Sequence, residues 1–419
     1  MSPAHSEFER DFHVSSTVAL LPLSLYSLAL GFGPVLGGPL SETIGRYPVY
    51  LWGTPLGALF TLGAGLSSTF PGICILRFLA GLFWAPSLAV ATGSIVETFK
   101  PRRRGQMVAL YILMPFLGPG CGQTFDRRLR GQPKGLALDA MDVDFFAIFS
   151  FITVLMNQET YHPVIQHRLN KERPCYDEQK TFKSRSDRFK SFIRISLIRP
   201  LHMLVAEPIV ALLCLYIAAE FGTLFSFFAA VPYTFGTVYQ FSLEQEGLVF
   251  ASIIIGCFLA LLTILLCDIF IYNRQTTQNQ ASSVAPEHRL YAAMMGSIGL
   301  PIGLFWYAWT ARSSISWASP AAAIIVFAWG NLCIFVSAFQ YMADTYRGSV
   351  IASAASANSL ARYTFAAVFP LFTIQMYERL GIHWASSLLG FIALTLMPIP
   401  WLLFRFGPRI RAKSLYESL

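Results

Sequence analysis

Apolar runs of roughly 20 residues recur along this chain, and that is the length a helix needs to cross a bilayer's hydrocarbon core. They lie near Ser16–Leu36, Val49–Ser68, Ile73–Ile95, Met107–Gly122, Phe145–Met156, Ile209–Val231, Leu248–Ile271, Tyr291–Trp309, Ala318–Met342, Ile351–Met376 and Trp384–Phe404. The fourth is short and the fifth is about half a span. Lipid offers no hydrogen bonds, so segments of this kind must satisfy their backbone internally as helices. The reading is therefore an all-α membrane protein of about eleven spans. A soluble fold is excluded by amount: 54% of the 419 residues are hydrophobic and only 13% are charged. Soluble chains of this size split into domains rather than grow one core able to hide so much apolar surface.

The charges give a topology. Lys and Arg cluster at Lys100–Arg104, across Arg168–Arg199, around Arg274 and Arg289, and at Arg405–Lys413. The alternate loops Ser67–Gly72 and Tyr233–Gly247 hold neither. An excess of basic residues marks cytoplasmic loops, so the first set faces the cytoplasm and the net charge of +8 is accounted for there. Eleven spans then put the N-terminus outside and the C-terminus inside. Arg127, Arg128, Arg130 and Lys134 break the alternation beside the short fourth and fifth runs, and Phe125–Asp144 reads as aberrant, an irregular stretch left by lost or misread sequence. The organisation expected is an incomplete N-terminal bundle over 1–164, a basic cytoplasmic linker over 165–199 and a six-helix bundle over 200–419. The basic stretch lies between spans and is no nucleic-acid surface. The seven cysteines form no CxxC pair and mostly sit in apolar runs, as buried hydrophobes rather than metal ligands or disulfides. No phosphate loop, HExxH or nucleophile elbow is present, so neither an enzyme nor a cofactor is expected.

The motifs are more specific. Gly38-Pro39-Leu40-Ser41-Glu42-Thr43-Ile44-Gly45-Arg46-Tyr47 follows the first span, with opposite charges at a cytoplasmic helix end and glycines that permit close helix approach. Arg77-Phe78-Leu79-Ala80-Gly81 opens the third, where an arginine must snorkel or face a polar interior. Leu117-Gly118-Pro119-Gly120-Cys121-Gly122 can kink the fourth. Glu159-Thr160-Tyr161-His162-Pro163-Val164 follows the fifth; then come Arg199-Pro200 with Glu207-Pro208, Gly303 to Thr310, Phe369-Pro370, and Pro398-Ile399-Pro400.

Together these resemble the major facilitator superfamily, in the form found in fungal drug and polyamine:proton antiporters. The resemblance implies a major facilitator fold of two helical bundles. It implies a cytoplasmic gate motif at Gly38, Glu42, Gly45 and Arg46, although two positions basic in that signature are Thr43 and Tyr47 here. It associates Arg77 with proton coupling and implies an antiporter-motif kink at Gly118, Pro119 and Gly122. The family's first helix finds no counterpart before Phe12, and its sixth is incomplete here.

Such proteins bind substrate near the midplane, between two halves that rock about it. Few ionisable residues fall there. Glu220 lies about eleven residues into its span, where the charged form of a carboxyl is disfavoured. It is the candidate for proton exchange or cation binding, with a paired structural carboxylate as the bland alternative. Glu207, beside Pro208 at the cytoplasmic edge, is expected to be solvated. Tyr216, Phe221, Phe225, Phe227 and Phe228 could stack on drugs but are expected mainly to face lipid or pack helices. Arg362, one turn after Asn358, is expected at the half-to-half interface in a structural role, with substrate contact as the second reading. The expected function is proton-coupled export of drugs or polyamine-like molecules across the plasma membrane by a multi-pass monomer. Its partners are a small xenobiotic or polyamine, protons and the bilayer, with no metal and no nucleic acid. The competing expectation is a truncated paralogue or faulty gene product without transport activity.

Overall fold

The computed structural model describes residues 12–99, 106–114, 117–118, 151–152, 159–160, 165–166, 197–272, 285–346, 349–414 and 416. In the N-terminal part, α1 (Leu21–Leu30) continues into α2 (Gly33–Ile44), followed by α3 (Arg46–Leu66), α4 (Phe70–Thr98) and α5 (106–114). After residue 197 come α6 (Arg199–Ala206), α7 (Pro208–Tyr239), α8 (Ala251–Cys267), α9 (Tyr291–Thr310), α10 (Ala318–Thr345), α11 (Ser349–Leu396) and α12 (Ile399–Arg411).

Eight helical stretches among the described residues are long and apolar enough to cross a membrane. The last, Val350–Arg411, runs for 62 residues, but Gly381 breaks it at a φ of 74°. It therefore makes two passes, divided where the sequence separates Ile351–Met376 from Trp384–Phe404. The short fourth run shows helix at 106–114 and the half-length fifth at 151–152. Residues 119–150, including the stretch expected to be irregular, and most of the basic linker lie outside the described residues.

Local chemistry explains the boundaries. Pro208 needs no backbone donor in a first turn, and it drives Glu207 to an extended φ of −105° and ψ of 107°, which separates α6 from α7. At the other end of α7, Gln240 adopts a left-handed φ of 55° and turns the chain back. Ser242 and Gln245 then form a reciprocal capping box that starts the next helix, Leu243–Val249.

Burial ranks the helices. The most apolar windows of α7 and α10 are 78% and 72% buried, against 33% for α3, so α7 and α10 are central while α3 faces lipid. Helices α9 and α10 meet backbone to backbone: a Cβ on Gly296 would lie 2.7 Å from the Gly330 carbonyl oxygen. Leu59, Ile75, Phe258 and Phe270 point outward, as lipid-facing side chains do. The two parts touch where α11 lies against α1. Gln375 donates to Thr17, and the space opposite Gly31 is filled by Tyr363. Val108, Ile112 and Leu113 of α5 share one apolar core with α7 to α11.

A candidate transport site between two helical halves

Gly45 joins α2 to α3 with a φ of 100°. Residue 45 has no side chain to cap α3, and the vacant amides of that helix are taken by a distant carboxylate. Glu159 accepts hydrogen bonds from the backbone N–H groups of Arg46 at 2.8 Å and Tyr47 at 3.1 Å. A negative charge at a helix N-terminus is favourable both as a hydrogen-bond acceptor and against the helix dipole. The Arg46 guanidinium donates to Ser41 Oγ at 2.6 Å and lies over Gly93 of α4. Gly45, Arg46 and Glu159 thus tie together three segments distant in sequence. Gly38 itself faces open space; the close approach belongs to Gly37, where a Cβ would sit 2.7 Å from Pro86. The Glu42 side chain lies outside the described residues.

Arg77 sits two turns into α4, half-buried. Gly81, one turn on, brings α4 against α1: a Cβ there would lie 2.6 Å from the Tyr26 carbonyl oxygen. The Tyr26 phenol then lies within electrostatic reach of both Arg77 and Tyr363. On the kink motif, Gly118 meets nothing within 4 Å, and Pro119 and Gly122 lie outside the described residues.

Glu220 is 2% exposed in the middle of α7. Tyr216, one turn earlier, sets its hydroxyl beside the carboxyl. Neither the phenol nor either carboxyl oxygen reaches hydrogen-bond geometry with a described group. Asn331 of α10 donates to the Glu220 backbone carbonyl at 3.1 Å, which fixes the helix rather than the acid. A buried carboxyl without an ion-pair partner is costly, and in membrane transporters it marks a proton or ion path by default.

Arg362 on α11 is surrounded by rings. Its guanidinium carbon lies 4.8 Å from the centroid of Phe221 on α7, 4.6 Å from Phe335 on α10 and 4.6 Å from Tyr363 beside it. Tyr111 of α5 donates to the Leu88 carbonyl at 2.7 Å and is in electrostatic reach of Arg362 and Tyr363. Electrostatic reach therefore links Tyr26 to Arg77 and Tyr363, and Tyr111 to Arg362 and Tyr363, across the two parts. Among the neighbours of Glu220, Tyr216, Phe221, Phe227 and Phe228 are all buried in helix packing, and lipid takes none of them.

The C-terminal helices carry ion pairs at one end that the sequence did not single out. Arg289 bridges Asp268 at 2.6 Å and Asp344 at 2.8 Å. Arg411 meets Glu287 at 2.9 Å. Glu207, expected to be solvated, is instead 1% exposed. It accepts from the Tyr346 hydroxyl at 3.3 Å and from Ser414 Oγ at 3.0 Å. Burial first, and then the charge of Glu207, push the Tyr346 phenol up from its ordinary titration range. The returning C-terminal segment covers this acid, which a local reading of Glu207-Pro208 has no means to register.

The family model described as Major Facilitator Superfamily matches residues 1–127. Polyamine transporter 4 of Saccharomyces cerevisiae is 35% identical, with 97% of this chain aligned; the chain spans 66% of that relative's length. The MFS-type transporter traF of Penicillium crustosum is 35% identical across 100% of this chain and 85% of its own. The major facilitator superfamily multidrug transporter mdrA of Aspergillus fumigatus is 36% identical over 98% of this chain and 68% of its own. Among solved structures, the proton:xylose symporter XylE superposes with a TM-score of 0.65 at 14% identity, covering 99% of this chain and 93% of that one. The human organic anion transporter MFSD10 gives 0.61 at 16%, covering 95% and 89%. These two likenesses establish the fold.

Proposed function

The chain belongs to the major facilitator superfamily of multi-pass membrane transporters, and from that premise we propose that it exports small organic molecules of drug or polyamine type across the plasma membrane in exchange for protons. The observation that carries the reading is the Glu220 carboxyl, buried in the core helix α7 with no ion-pair partner among the described residues. An acid held this way stores a proton in one state of the cycle and releases it when water reaches the site. Phe221, the next residue on α7, contacts Arg362, so a change at the space between the halves is one residue away from the proton-bearing group. Arg77 acts from the opposite half beside Tyr26.

Gly45, Arg46 and Glu159 latch the cytoplasmic side of the N-terminal half, and Gly38 and Glu42 belong to the same helix end. We also propose that Gly118, Pro119 and Gly122 allow the fourth span to bend as the halves rock about the site. The transporter works as a monomer. The alternative of a chain without activity gains nothing from the relatives, which match it nearly end to end.

Glu220→Gln keeps the volume and removes the titration. In cells stripped of their own exporters, the wild type should expel fluorescent xenobiotics or labelled spermidine under a proton gradient. The Gln variant, at equal surface level, should fall to the rate of cells without the protein. Wild-type rates in the variant would remove Glu220 from the mechanism.

A further inference from the structure

A cation of α11 sits where the two parts meet, beside Tyr363, which packs against Gly31. Arg362 projects from α11, and its Nε is buried without a hydrogen-bond partner. Arg77 faces Tyr26 from α4. The described carboxylate side chains lie elsewhere: Glu159 on the amides of α3, Glu207 under Tyr346, Asp268 and Asp344 on Arg289, Glu287 on Arg411, and Glu378 exposed four turns beyond Arg362 on α11. Glu246 lies against Gly236 at the outer end of α7, and Glu220 points into the C-terminal bundle beside Tyr216. No ion pair to Arg362 forms among the described residues.

A guanidinium inside a membrane protein without a counter-charge costs several kcal/mol. Ring faces return about 0.5–2 kcal/mol of that in a desolvated setting, which leaves the charge under-compensated by the described residues. A planar guanidinium binds a carboxylate through two parallel hydrogen bonds, which a point charge does not do. The rings beside it, Phe221 and Tyr363, meet edge to face at 5.5 Å and form an aromatic wall next to the cation. One turn before Arg362, the Asn358 side-chain oxygen is also buried without a partner, so a second polar group at this place is unfilled.

We infer that the space faced by Arg362 binds a planar aromatic anion, an aromatic carboxylate or phenolate, with its acidic group on the Arg362 guanidinium and its ring against Phe221 and Tyr363. This rests on the transport reading above and narrows its substrate class from drugs or polyamines to organic acids. A polyamine would bring like charge to Arg362, a juxtaposition that costs several kcal/mol at close range.

The test uses the full chain, purified in lipid nanodiscs, and three probes: 2-naphthoate, 2-naphthylmethylammonium and spermidine. Equilibrium binding should favour the naphthoate over both amines by about tenfold or more. Arg362→Gln should weaken naphthoate binding by a similar factor and strengthen amine binding, with the melting temperature unchanged. Arg362→Lys, which keeps the charge and loses the fork, should fall between. Amines bound as tightly as the naphthoate, or no binding of any probe by the wild type, overturn the inference without need of a variant. So does an Arg362→Gln protein that loses all probes equally or none, since that is the behaviour of a purely structural arginine. Naphthoate that binds but does not cross proteoliposome membranes would sink the transport reading and leave this site standing.

Discussion

Gly45 holds a φ of 100° and its missing side chain is replaced by the Glu159 carboxylate, so two separate costs oppose any larger residue there. Gly45→Ala should destabilise the protein by about 1–3 kcal/mol through backbone strain, with the collision against Glu159 added. The measurement is thermal unfolding of the detergent-solubilised protein. An alanine variant that melts with the wild type would show that Glu159 does not cap α3. The glycine and arginine of this motif were legible because their spacing is a signature. Glu159 was visible as a motif residue but not as a cap, because its partners lie more than a hundred positions earlier. Glu207 failed for the same reason: Tyr346 and Ser414 bury it from far along the chain. Pairings between distant spans have no local trace, whereas a carboxyl in mid-span such as Glu220 does.

Between elements, Arg289 joins the end of the α8 stretch to α10 through Asp268 and Asp344. The Arg289 and Asp268 side chains are 8% and 9% exposed, so this pair is not a surface bridge. Arg289→Ala strands a buried carboxylate and should cost about 3–5 kcal/mol, seen as a lower melting temperature; Asp268→Asn added to it should recover part of that loss. Equal melting of the single variant and the wild type would count against the pairing. Gly330→Val should force α9 away from α10 and lower stability by about 1–3 kcal/mol, read by the same melting assay. Helix positions were the most legible part of the fold, because a bilayer forces long apolar runs to be helices. The split at Gly381 was readable from the polar interval after Met376. The face that each helix turns to its neighbours was not, since hydropathy is nearly uniform around α7 and only packing distinguishes its sides.

For the whole molecule, the alternating charge predicts sidedness. Ser68→Cys and Ser313→Cys, both exposed between spans, should react with a membrane-impermeant thiol reagent on intact cells. Lys413→Cys, exposed beyond α12, should react only after permeabilisation. Labelling of Lys413→Cys from outside would invert the topology and with it the direction of export. The claim on which the rest depends is that outward movement of an organic molecule is driven by inward movement of protons. It is tested most directly in proteoliposomes holding the purified full chain and a trapped pH-sensitive dye. With the protein oriented so that its cytoplasmic face is outward, an acidic lumen should drive uptake of 2-naphthoate or spermidine, and the dye should report lumenal alkalinisation in step with it. Uptake that proceeds equally without the gradient, or that leaves the lumenal pH unchanged, would contradict proton-coupled export.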